Sequence, residues 1–484
     1  MPPGRPLRPR RRMPFVNSPE SLSRRCISRT EYPAQVESDP EDRIIPSWSR
    51  SPRASARLVA GPIRSFMAWE AAGGAALLLA TIVALVWANV DTSGYEAFWS
   101  TPITLGADGS VLDTDLAKVV NDGLMTLFFL LIGLEVKREL AVGELSTPKA
   151  AAVPFAAALG GMLLPAAIYL AFTAGGAAQD GWGIPMATDV AFALAVLAAL
   201  RSRVPPALWA FLLGVAVIDD IGAIIVIAIA YSSGIQAAWL AAAIVALVAF
   251  WVLTRLHVQA RVPYVALGIL AWAFTAASGV HATIAGVAVG LLTPAVPLQR
   301  PAAVSAEAHR VADETSDAPA GPDAESESWM HLAELSRQAV SPLTRAVHAL
   351  HPWTSFVILP IFALANAGIV FGAGALSADG AVGAALGVGL GLLIGKAVGI
   401  PLGAWMAIRM GVGRMPSGAR WGQMLGIGLV AGIGFTVSLF ITDLAFDDPS
   451  LADAARIGVL AGSVLAAVAG ALVLWLLGRR SRSA

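Results

Sequence analysis

Residues 211–231 read F-L-L-G-V-A-V-I-D-D-I-G-A-I-I-V-I-A-I-A-Y, an apolar run that carries two adjacent acids, Asp219 and Asp220, at its centre. The run has the length of a membrane-spanning helix, about 20 residues. One ionised aspartate at such a depth costs at least about 2.5–3.5 kcal/mol. Two side by side also repel each other. A chain carries the pair only where protons, a cation or water in a cavity compensate it, so the run points to cation or proton handling. The competing reading, a capping pair at a loop, is opposed by the apolar residues on both flanks.

The rest of the chain agrees with a membrane location. Of 484 residues, 56% are hydrophobic and 14% charged, with a mean hydropathy of +0.69; a soluble domain carries about 25% charged residues. The 47 glycines suit close helix packing in a bilayer. A single cysteine, Cys26, excludes an internal disulfide framework. No phosphate-binding loop is present, which argues against ATP-driven transport. No His-rich or Cys-rich spacing suggests a metal enzyme.

Twelve apolar segments are expected at about 66–89, 116–136, 150–173, 184–200, 206–231, 236–254, 263–277, 281–296, 353–372, 382–408, 422–444 and 454–477. Basic residues follow alternate segments: Lys137, Arg138 and Lys149; Arg201 and Arg203; Arg255 and Arg261; Arg409, Arg414 and Arg420; and Arg479, Arg480 and Arg482. The positive-inside rule then puts both termini in the cytoplasm. Residues 1–64 hold 13 Arg against 6 acids and read as a disordered basic tail; residues 65–478 form the transmembrane domain, and 479–484 a basic C-terminus. No signal peptide is expected, because no hydrophobic stretch follows Arg10–Arg12. The long loop at 297–350 is acidic in its middle and should be cytoplasmic and partly disordered, with an amphipathic helix over Trp329–Leu350.

Two segments interrupt their helical pattern, at Gly181-Trp182-Gly183-Ile184-Pro185-Met186-Ala187-Thr188-Asp189 and at Gly432-Ile433-Gly434-Phe435-Thr436. Broken helices persist in a bilayer only where they line a cavity or pack in protein. In corresponding positions of two halves they point to a transporter site. By order, segments three to five and ten to twelve are two three-helix repeats. Asp189 follows Thr188 at the first break, where it could cap a shifted helix start or offset the positive ends of half-helices. Lys396 is the one lysine inside a span away from its ends, placed to pair with an aspartate or to snorkel. Asp122, Glu135 and Arg138 frame segment two as supporting groups or solvated termini. His281 is either a packing histidine or a pH-linked group. Asn366 reads as interhelical glue.

At these residues the chain resembles the NhaA-type sodium/proton antiporters. The matching strings are F-F-L-L-I-G-L-E-V-K-R-E-L (128–140), G-W-G-I-P-M-A-T-D-V-A-F-A-L (181–194), A-V-I-D-D-I-G-A-I-I (216–225), S-G-V-H-A-T-I-A-G (278–286), H-P-W with L-P-I-F-A-L-A-N-A-G (351–368) and G-I-G-F-T-V-S-L-F (432–440). The resemblance implies an all-α polytopic fold of about 12 transmembrane helices, with inverted repeats and two discontinuous helices that cross near mid-membrane. It implies that Asp219 and Asp220 bind the ion, that Thr188 and Asp189 stand at the crossing, that Lys396 is the basic partner, and that Asp122 is an acid near the site. The function implied is electrogenic export of Na+ or Li+ for a larger number of protons, with pH regulation, in a bacterial inner membrane. No cofactor and no nucleic acid are implied. Expected partners are Na+, Li+, H+ and membrane lipid, with a homodimer as one assembly the chain could form.

One departure is at Val347, where family members often carry a glutamate linked to pH response; the neighbouring loop is also longer. Exchange of another monovalent cation, or proton-coupled transport of a small solute, are the alternatives. A solute cavity would present aromatic and hydrogen-bonding side chains, whereas segments four, five and eleven offer mainly small apolar ones. An intramembrane aspartyl protease would need two aspartates meeting from separate helices, as Asp189 and Asp219 could; Asp220 and Lys396 argue against it.

Overall fold

The computed structural model describes residues 72–105, 112–232, 234–317, 322–371 and 376–481. The expected basic tail at 1–64 lies outside the described residues, as do 482–484. The described residues of each of the twelve apolar segments are mostly helical. Among the described residues, nine helices are long and apolar enough to cross a membrane: α1 (Ala72–Val90), α3 (Leu116–Ala141), α4 (Pro148–Thr173), the stretch Gln179–Ala199 that ends in α5 (Val190–Ala199), α6 (Pro206–Ala230), α7 (Ala237–Arg255), α12 (Pro342–Asn366), α13 (Ala381–Arg409) and α16, whose apolar part is Pro449–Gly478. A bent pair, α14 (Trp421–Ala431) and α15 (Phe435–Ala445), makes a tenth span. Two shorter apolar helices, α8 (Val262–Ala277) and α9 (Thr283–Leu292), complete the set. Outward-facing side chains such as Leu79, Ile229, Val245, Val265 and Val468 are large and apolar, as a lipid-facing surface requires.

Three features depart from the expectations. A short helix, α2 (Thr92–Trp99), and an antiparallel hairpin, β1 (Pro102–Leu105) with β2 (Leu112–Asp115), stand between the first two spans. The long loop contains two helices, α10 (Pro301–Asp317) and α11 (Pro322–Gln338). Its acidic composition suggested disorder, but Val304, Ala308 and Val311 recur at helical spacing and pack on Leu332, Leu335 and Ala339. Arg310 adds ion pairs to Glu307 and, at 2.6 Å, Glu314. The helix expected over Trp329–Leu350 is accordingly split: α11 ends at Gln338, and Ser341 caps a new helix that starts at Pro342. Last, α16 runs to Ser481, past the expected end of the span at 477.

The spans pack as two bundles. In one, α4 lies along α13, α13 and α14 lie on α16, and α6 packs on α4. The other joins α3 to α9, α7 to α8 and α1 to α12. Glycine makes the α4–α13 contact close: a Cβ on Gly399 would stand 2.2 Å from the Gly160 carbonyl oxygen. That approach brings Lys396, one turn before Gly399, into the bundle core. A π-helical turn at Gly391–Gly395 immediately precedes Lys396, a distortion that often marks functional positions.

Candidate ion-exchange site

The two helix breaks meet inside the first bundle. In one, a 3-10 stretch, Gln179–Met186, gives way to extended residues 187–189 before α5. In the other, α14 stops at Ala431 and α15 resumes at Phe435 with a bend of 48°. Backbone groups freed at a break must find partners away from water. Here each break serves the other. The Asp189 N–H donates to the Ile433 carbonyl at 2.6 Å, and the Ser438 hydroxyl donates to the Ile184 carbonyl at 2.7 Å.

The ends of the half-helices fix the charges. Asp189 is buried and accepts from the Phe192 N–H at 3.1 Å, at the start of α5. It also accepts from the Thr436 N–H at 3.1 Å and hydroxyl at 2.5 Å, at the start of α15. One carboxylate thus faces two positive helix N-termini. Both expectations for Asp189, a cap and a dipole partner, describe the same contact. Lys396 does the converse. Its ammonium donates to the Met186 carbonyl, where the 3-10 stretch ends, to Thr188 Oγ1 at 3.0 Å and to Asp219 Oδ2 at 2.6 Å. All three of its N–H groups are used, and Lys396 and Asp219 are both fully buried. Snorkelling is therefore not what Lys396 does.

The oxygens around Asp219 are incompletely partnered. The Thr188 hydroxyl stands 2.9 Å from Asp219 Oδ2 and 2.9 Å from the Ala431 carbonyl. It has one proton for two acceptors, so one of them goes short. Asp219 Oδ1 is buried with no hydrogen-bond partner. Asp220 is about 100° further round α6 and has no hydrogen-bond partner among the described residues. It is 6% exposed and within electrostatic reach of Asp219, Glu135 and Asp189. Two carboxylates, a hydroxyl and a carbonyl make a set of hard oxygen donors suited to a small hard cation. Among the described residues, no group of three or more His, Cys, Asp or Glu side chains could hold a metal ion.

The remaining expected residues lie further out. Glu135 is the member of its cluster that reaches toward Asp220; Arg138 Nε lies 3.9 Å from Glu139 near the end of α3. Asp122 lies within electrostatic reach of Lys118, His281 and Asp115. His281 Nε2 lies 2.7 Å from the Tyr231 carbonyl that ends α6. Val347 is buried against the cluster of Leu131, Leu134 and Leu343. A cavity of about 1170 Å³, lined by Lys137, Arg255, Arg261 and Arg345 among others, opens at the Arg-rich end without Asp219 or Asp220 in its wall.

Sequence reasoning passed over a second, half-buried charge cluster. Asp443, near the end of α15, pairs with Arg456 at 2.6 Å, and Arg456 pairs with Asp453 at 2.7 Å. Asn121 reaches Asp443 from α3 at 3.3 Å and exchanges amide hydrogen bonds with Asn366. The available signal was an acid inside the otherwise apolar end of segment eleven.

A family model described as Na+/H+ antiporter 1 matches residues 64–474. The chain is similar to the Na(+)/H(+) antiporter NhaA of Rhodopirellula baltica, with 45% identity over 433 residues, which cover 87% of this chain and 95% of that protein. It is similar to NhaA of Anaeromyxobacter sp., with 46% identity over 429 residues, covering 87% of this chain and 93% of that protein. NhaA 3 of Frankia alni is 43% identical over 425 residues, covering 87% and 90%.

Proposed function

The chain belongs to the Na+/H+ antiporter 1 family, and on that premise we propose that it exchanges Na+ for H+ at the Asp219–Asp220 pair. The observation that carries this reading is the unequal partnering of the two acids. Asp219 is tied to Lys396, whereas Asp220 and Asp219 Oδ1 have no hydrogen-bond partner among the described residues. Such oxygens in a dry interior need a proton or a cation. Sodium arriving at Asp220 finds Asp219 Oδ1 and the Thr188 hydroxyl as further ligands, and it competes with Lys396 for Asp219. Protons arriving at the same oxygens displace sodium. That competition is the coupling: the site carries one or the other, never both.

Asp189 and Lys396 hold the crossing in place while the cargo changes. The Asp189 carboxylate faces two helix N-termini, and the Lys396 amino group faces the carbonyl at the end of the 3-10 stretch. Two titratable carboxylates for one cation also allow more than one proton per sodium, so that exchange moves net charge. Lithium, a hard monovalent cation like sodium, suits the same oxygens. The Arg-rich loops favour cytoplasmic termini in an inner membrane. These points together support sodium export for pH and sodium homeostasis.

The test is a proton-gradient dye in everted vesicles that contain the protein. Sodium and lithium should dequench the dye, and potassium and small organic solutes should not. Dequenching by potassium alone, or by a solute alone, would overturn the assignment.

A further inference from the structure

The two bundles touch along a seam where α3, α12 and α1 face α6, α15 and α5. At the end of the molecule that carries the β hairpin, side chains bridge this seam. Asn121 lies in a π-helical stretch of α3, Val119–Leu124. Its Nδ2 donates to Asp443 Oδ2 on α15 at 3.3 Å and to Asn366 Oδ1 on α12 at 3.2 Å. The Asn366 amide returns a bond to Asn121 Oδ1 at 2.8 Å and donates to the Phe362 carbonyl at 3.0 Å. The Asn121 amide is therefore held from within its own bundle.

Asp443 is held from the other side. Arg456 Nη2 donates to Asp443 Oδ1 at 2.6 Å, and Nη1 donates to Asp453 Oδ1 at 2.7 Å. The guanidinium thus ties the end of α15 to the start of α16. Neither Asn121 nor Asp443 can swing to follow its counterpart. Asp443 also shares α15 with Thr436, seven residues earlier, whose backbone and hydroxyl bind Asp189. Two turns of one rigid helix, about 10 Å, separate the crossing from the seam contact.

We propose that Asn121 and Asp443 form a polar latch that closes the seam at the hairpin end, and that this latch parts when the Asp219–Asp220 site turns to face that end. This rests on the antiporter reading, since an exchanger must expose one buried site to each side in turn. Because each partner is anchored in its own bundle, displacement of the bundles breaks the contact rather than stretching it. Because the latched α15 carries the Thr436 end of the crossing, opening the latch and moving the site are one event.

The chain's single cysteine makes a direct test possible. In a Cys26→Ser background, Asn121→Cys with Asp443→Cys is treated with a short thiol cross-linker, and cross-linking is scored by mass independently of transport. Cross-linking should stop sodium-dependent proton exchange, a thiol-cleavable linker should restore it on reduction, and each single-cysteine variant should keep its exchange after the same treatment. Failure of the cross-link to form, or exchange that continues in the cross-linked protein, overturns the latch. A Cys26→Ser parent without sodium-driven exchange would overturn the antiporter reading instead. Because Asp443→Cys removes a partner of Arg456, Asn121→Ala gives a second reading. It should move the apparent sodium half-saturation constants in everted and right-side-out vesicles several-fold in opposite directions. Shifts in the same direction, or none, would leave Asn121 a packing residue and overturn the proposal.

Discussion

Two charge clusters, one buried and one half-buried, meet the helix α15, and they are built on opposite terms. At its far end, Asp443 has a partner for each oxygen, Arg456 for one and Asn121 for the other. At the crossing, Lys396 and Asp189 are saturated, but Asp219 Oδ1 and the Asp220 carboxylate have no hydrogen-bond partner among the described residues. In the Asp443 cluster only Arg456 Nε lacks a partner among the described residues, and a cluster whose buried carboxylate oxygens are all bound holds elements together. A partly paired one keeps room for a cargo at the expense of stability, because a buried polar group without a partner is costly. The same contrast recurs within two adjacent residues: Asp219 is half bound and Asp220 is unbound.

That comparison breaks first on Asp220. Asp220→Asn should reduce exchange to the background of vesicles without the protein, with detergent melting unchanged or raised, since an unpaired acid is removed. Asp219→Asn should abolish exchange equally but lower stability, because Lys396 loses its counter-charge. Equal melting of the two variants would erase the distinction between the neighbours.

The next largest effect is on pH dependence. If protons and sodium compete for the same oxygens, lowering the pH should raise the apparent sodium half-saturation constant. The expected slope is about tenfold per pH unit for one proton and up to about 100-fold for two coupled ones. Maximal exchange should change less. Sodium titrations between about pH 6.5 and 9 measure the slope. A flat line would move proton sensing away from the pair, with His281, His348 and His351 as the next residues to test.

Stability measurements then sharpen the contrast between the clusters. Lys396→Met should cost about 3–5 kcal/mol, the usual result of breaking a buried ion pair from one side. Adding Asp219→Asn should recover part of that loss, which a double-mutant cycle in detergent denaturation would show. Asp443→Asn should cost less, about 1–3 kcal/mol, because Arg456 keeps Asp453. Unlike Asp220→Asn, it should leave measurable exchange. The smallest expected change is for Asp189→Asn, about 1–2 kcal/mol from the charge facing two helix N-termini, with exchange slowed. Normal melting and normal exchange in that variant would reduce Asp189 to a local cap.

The sequence by itself determined the class of the fold and the positions of its two breaks. Apolar runs of spanning length, alternating basic loops and the Gly/Pro interruptions are local properties, and local physics sets them. It also marked Asp219, Asp220, Asp189, Thr188 and Lys396, because a charge in an apolar run stands out wherever it folds. It did not show α10 and α11, where spaced valines and leucines outweigh an acidic composition. Pairing was decided only by the tertiary structure. That Lys396 takes Asp219 and not Asp220 depends on the close glycine contact of α4 with α13, across more than 200 residues of chain. That Asp189 caps a helix from the other repeat, and that Asn121 meets Asp443, depends on which backbones approach. Hydrogen bonds act over about 3 Å, and no one-dimensional pattern carries distances of that kind between segments so far apart.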